Sequence, residues 1–145
     1  MKSFKLQAVL DHRQRLEDLA QQTLAQAIQR ERELMSCITD ETASLAQICR
    51  SYEERQAEGM HAHEFMLYEN RINHKRQKLQ DLDRQLGESR QQVQESRQAL
   101  ATASQEKKLL EKLKEKKLDE VKRELQRQEM IQIDEVAIMH RNGEE

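Results

Sequence analysis

Proline is absent from this chain of 145 residues, glycine occurs three times and tryptophan not at all, and the aromatic complement is two phenylalanines and two tyrosines. Each scarcity removes a class of structure. A thick globular core of two or three packed layers draws on aromatic and branched side chains that are missing here. Disordered chains also have few aromatics, but they are typically rich in Pro, Gly and Ser and carry no apolar period. This chain is rich instead in Gln, Glu, Lys, Arg, Leu and Ala, the helix-forming set.

Charge of one sign is lacking too. With 36% of residues charged the net charge is only −2, so no long-range field draws the chain to nucleic acid or to an anionic membrane. No run approaches the roughly 18 apolar residues needed to span a bilayer. The opening MKSFKLQAVLDHRQRLEDL is broken by charges where a signal peptide needs an apolar core. A cytoplasmic protein with no direct membrane insertion is expected.

Chemistry-bearing motifs are equally sparse. No phosphate-binding glycine loop, nucleophile elbow or paired CxxC occurs, and a helical rod offers no concave pocket for a substrate, so neither an enzyme nor a cofactor is expected. His61 and His63 form an HxH pair without a third ligand at suitable spacing, a poor metal site. Cys37 and Cys49 lie twelve apart in one helix, about 18 Å along its axis, too far to pair with each other. Both are expected to stay reduced and to pack as small apolar residues.

What the chain does contain is a period. From Phe65, the positions 65, 68, 72, 75, 79, 82, 86, 89, 93, 96, 100, 103, 107 and 110 alternate in steps of three and four and are mostly apolar or small. That repeat predicts a seam facing a second, supercoiled helix. Leu6, Val9, Leu16, Ala20, Leu24, Ala27, Leu34, Ile38, Leu45, Ile48 and Tyr52 form a matching stripe in the first third, its obvious partner. Between them, QAEGMHAHEF contains Gly59, suited to close the first helix.

The predicted fold is therefore all-α: two long helices in one antiparallel coiled-coil hairpin, with helix 1 over about 3–57, a turn over about 58–63, helix 2 over about 64–140 and a frayed tail at 141–145. A turn near residue 60 sets residue i opposite about 120 − i, so nothing covers helix 2 beyond about 117. The apolar stretch MIQIDEVAIM, residues 130–139, then lies on an overhang. After Leu110 the apolar set shifts phase to Leu113, Leu118, Val121 and Leu125, as a four-residue insertion in the heptad would produce. Gly87, inside helix 2, reads as a tolerated weak spot.

The stretch EKKLLEKLKEKKLDEVKREL, residues 106–125, places eight basic against six acidic residues with no aromatic among them. It reads as a solvated helix face, with its leucines finishing the seam, and not as a nucleic-acid arm.

Several stretches together carry a resemblance to a known family. The start FKLQAVLDHRQRLEDLA, the middle GMHAHEFMLYENRINHKRQKL, the run EKLKEKK and the later IDEVAI resemble, in order and spacing, the FliJ family of flagellar type III export proteins along nearly the whole chain. The resemblance implies a monomeric hairpin that acts as a non-enzymatic stalk of the export apparatus, peripheral to the inner membrane at the flagellar base. Its implied partners are the hexameric export ATPase FliI, the export gate protein FlhA and substrate chaperones.

By matching positions, the resemblance implies an ATPase-facing set of Phe4, Leu6, Leu113, Lys114, Lys116, Lys117 and Asp134. The gate-facing set would be Leu45, Ile48, Tyr52, Tyr68 and Ile72. Arg71 and Lys75 stand where some members keep apolar residues. Two other readings remain open on the residues alone, a general coiled-coil scaffold and the related stalk of a virulence secretion system.

Overall fold

The computed structural model describes the backbone of residues 2–143 and the side chains of residues 6–143. It contains two helices and, among the described residues, no strand: α1 spans Lys2–Glu58 and α2 spans Ala62–Gly143. Of the tail expected at 141–145, residues up to Gly143 are helical, and Glu144 and Glu145 lie outside the described residues. The two helices pack against each other as an antiparallel hairpin.

Gly59 makes the reversal. Its φ of 98° lies in the left-handed region, where a side chain would crowd the following carbonyl, and its amide bonds back to the Gln56 carbonyl at 3.3 Å. Glycine at this single position ends α1 without strain.

The chain divides into two compact units, one formed by residues 1–18 with 102–145 and the other by residues 19–101. In the second unit the seam is apolar. Leu34 packs on Leu82 and Leu86 with Ile38 alongside. Nearer the turn, Ile48, Tyr52 and Ile72 form a second cluster bordered by Leu45, Cys49 and Tyr68. These pairings follow the 120 − i rule, and a strict alternation of three and four on both helices keeps the same faces opposed. Ser89 and Ser96 occupy two of the α2 seam positions and are buried with no hydrogen-bond partner for either hydroxyl.

The first unit is built differently. Its half-buried α1 positions are Leu6, Gln7, Leu10, Arg13, Gln14 and Glu17, while Val9 and Leu16 are exposed. The expected stripe through Val9 and Leu16 is thus displaced by one residue. Read backwards from Ala20, Leu24 and Ala27, the alternation lands on Glu17, Arg13, Leu10 and Leu6. The two charged residues are accepted there because Glu106 and Lys107 stand opposite with the complementary sign.

Three further expectations change. Phe65 is 45% exposed, because it sits on the first turn of α2 at the end of the hairpin, where it meets the Tyr52 ring in a T-shaped contact at 5.8 Å between centroids. Leu113, Leu118 and Leu125 do not finish the seam: all are exposed, Leu113 because it lies beside the face on which Leu110 and Lys114 meet α1, and the other two because they lie at or past the start of α1. Cys49 packs beside the cluster near the turn, but Cys37 is exposed, one position off the seam residue Ile38.

Candidate functional site

Two groups of residues stand out, one in each unit. The first surrounds the start of α1. Here Lys114, the last half-buried residue of α2, donates a hydrogen bond to the Gln7 side chain. Leu6 is half-buried, Leu113 is 44% exposed, and Lys116 and Lys117 face solvent. The side chain of Phe4 lies outside the described residues.

Beyond Lys114, α2 continues alone. Every residue from 115 to 143 is exposed, and the surface includes Leu118, Val121, Leu125, Met130, Ile131, Ile133, Val136, Ile138 and Met139 at 42–74% exposure. At 100° per residue, Leu118, Val121, Leu125, Val136 and Met139 fall on one side, while Ile131 and Ile138 fall on another. An unpartnered helix with apolar side chains on more than one face is suited to enclosure by a partner and not to a single flat contact. Asp134 is exposed within this stretch. The helix is held in part by its own ion pairs, such as Arg127 with Glu124 at 2.7 Å.

The second group lies beside the turn. Leu45, Ile48, Tyr52, Tyr68 and Ile72 are brought together, with Ile48, Tyr52 and Ile72 buried in the cluster they form. Tyr52 meets Tyr68 edge to face at 5.2 Å, and its hydroxyl donates to Glu69 at 3.1 Å. Burial, followed by the neighbouring Glu69 carboxylate, raises the Tyr52 pKa. These side chains mainly hold the helices together. What reaches the surface is a shallow groove of about 270 Å³ lined by Ser44, Gln47, Ile48, Ser51, Tyr68 and Arg71. Arg55 bridges the turn to Glu64 at 2.8 Å and holds that carboxyl below its usual range.

Sequence reasoning about partner contacts passed over the charged layers inside the seam. Glu41 is held between Lys75 and Lys78 at 2.8 and 2.9 Å, and hydrogen bonds from these two lysines lower its pKa. Lys75, at a seam position of α2, is thus accommodated by an opposing carboxylate. Glu17 is held likewise, by the Ser104 hydroxyl first and by Lys107 at 3.3 Å. The signal was available: each is a charged residue at a seam position with the opposite sign near 120 − i.

No group of three metal-ligating side chains is assembled among the described residues, His61 and His63 included. No helix among the described residues is long and apolar enough to cross a membrane.

A family model described as the flagellar FliJ protein matches residues 1–145, the whole chain. No curated protein and no solved structure matches the chain.

Proposed function

Since this chain belongs to the FliJ family and is a flagellar export-related protein, we propose that it is the stalk of the flagellar export apparatus, engaging the hexameric export ATPase FliI through the lone segment of α2. The observation that carries the reading is the continuous exposure of residues 115–143 with nine large apolar side chains among them. A monomeric soluble protein rarely leaves so much contiguous apolar helix uncovered unless a partner takes it. A ring whose lumen contacts a helix on all sides suits apolar residues that are not confined to one face. Leu6, Leu113, Lys114, Lys116, Lys117 and Asp134 belong to this ATPase-facing surface, with Phe4 beside them in sequence.

The groove beside the turn, with Tyr68 and Arg71 on its rim, is the proposed contact for the gate protein FlhA. Leu45, Ile48, Tyr52 and Ile72 act there by shaping the surface from beneath. Substrate chaperones are proposed as further cargo. The protein acts without chemistry of its own, in the cytoplasm at the flagellar base.

The test uses the purified chain and the purified export ATPase. Addition of the full chain should raise hydrolysis and shift the ATPase toward its ring form, and a chain truncated after Glu129 should do neither while keeping its thermal melt. Unchanged hydrolysis and oligomer size with the full chain would sink the proposal. The same exposed residues would also suit a self-associating scaffold. Light scattering separates the two, because the stalk reading requires a monomer in the absence of the ATPase.

A further inference from the structure

The two units differ in what holds α1 to α2. Among the described residues, every buried side chain, from Ala27 and Leu34 on α1 to Val93 and Ser96 on α2, belongs to the unit formed by residues 19–101. The unit that joins residues 6–18 to 102–114 has none. Its cross-helix bonds are polar: Gln7 with Lys114, Arg13 with Glu106, and Glu17 with Lys107. Under the 120 − i rule its one layer of paired leucines is Leu10 with Leu110, both only half-buried.

Exposed and half-exposed ion pairs stabilise weakly and are screened by salt, whereas buried leucine layers are not. Local opening takes the least free energy where buried apolar contacts are fewest. From this contrast we propose that residues 6–18 of α1 form a detachable strap over α2. It is held by charge rather than by core packing and opens without unfolding the residue 19–101 unit.

Opening exposes Ala103, Leu110 and the flanking face of α2, which runs without interruption into the exposed segment 115–143. The length of helix available to a partner would then begin near 102 instead of near 115. Closure keeps that additional apolar surface covered when no partner is present. The ion-paired seam thus sets how much of α2 the chain presents, and ionic strength is the variable that moves it. The inference concerns the chain alone and does not depend on the identity of the partner.

Hydrogen–deuterium exchange on the isolated full chain tests it. At low salt, amides of residues 6–18 should exchange at least roughly tenfold faster than those of 27–52. Raising the salt to about 1 M should speed residues 6–18 by roughly a further tenfold while changing 27–52 far less, because the Glu41 ion pairs there are backed by buried apolar layers. Simple fraying of a helix end is distinguished by the double variant Glu17→Leu with Lys107→Leu, which replaces a half-buried ion pair by an apolar one. If the charged layer governs opening, that variant slows exchange across residues 6–18 by about tenfold and blunts its salt response. Equal protection in both segments, a salt effect on both alike, or unchanged exchange in the variant would each overturn the proposal. Because no ATPase is present, none of these results bears on the export reading, and a failure of ATPase stimulation leaves the strap standing.

Discussion

Leu34→Ala and Leu125→Ala make the same chemical change in two helices of similar composition, and the structure assigns them very different costs. Leu34 is 3% exposed, seated on Leu82 and Leu86 with Ile38 beside it. Truncating a buried leucine typically costs about 2–5 kcal/mol, made up of the lost transfer free energy and the cavity left behind. A two-helix seam is open on both flanks, so neighbours can partly collapse into the gap. The loss should therefore fall in the lower half of that range, about 2–3 kcal/mol. Leu125 is 56% exposed on a stretch with no facing helix. Alanine is also the better helix former there by a few tenths of a kcal/mol, so its change should stay within about 0.5 kcal/mol either way. Urea titration followed by circular dichroism gives both values from midpoint and slope. If Leu125→Ala cost as much as Leu34→Ala, residue 125 would be packed in the folded chain, and the account of the exposed α2 segment would be wrong.

Other outcomes follow from single positions. Gly87→Ala should stabilise by about 1 kcal/mol, since the added methyl meets nothing and alanine is the better helix former. Gly59→Ala should destabilise by about 1–2 kcal/mol, because φ is +98° there although the space is equally open; thermal melts of the two variants should move in opposite directions. Ser96→Ala removes a buried hydroxyl with no partner and should raise stability by about 1 kcal/mol, read from the urea midpoint. The carboxyls of Glu17, Glu41 and Glu64 all sit below their ordinary value of 4.5. Their contribution to folding is complete above that value and is lost as pH falls below it and through the depressed values. Melting temperature should accordingly fall on acidification below about pH 4.5. Glu41→Gln, which removes the carboxylate shared by Lys75 and Lys78, should make the pH profile shallower.

The exposed stretch of α2 was legible in outline. The exposed segment followed from arithmetic, because a turn at Gly59 leaves α1 too short to cover α2 past about 117, whatever the side chains there. The surface near the turn was less legible. Leu45, Ile48, Tyr52, Tyr68 and Ile72 look alike whether they pack inward or face a partner, and only the packed helices show Ile48, Tyr52 and Ile72 turned against each other.

By itself the sequence determined the two helices, the reversal at its one well-placed glycine and the face of α2 that meets α1. Those depend on local rules, namely helix propensity, the left-handed φ that glycine tolerates, and a 3.5-residue period sustained over six heptads. Only the tertiary structure decided which neighbouring face of α1 answers it. Val9 and Leu16 are as apolar as Leu6 and Leu10, and although the three-and-four alternation leads back to Arg13 and Glu17, hydropathy on a single helix gives no reason to prefer these two at the seam. That preference exists only once Glu106 and Lys107 stand across from them, because the free energy of a half-buried charge is set by what faces it and not by its own helix.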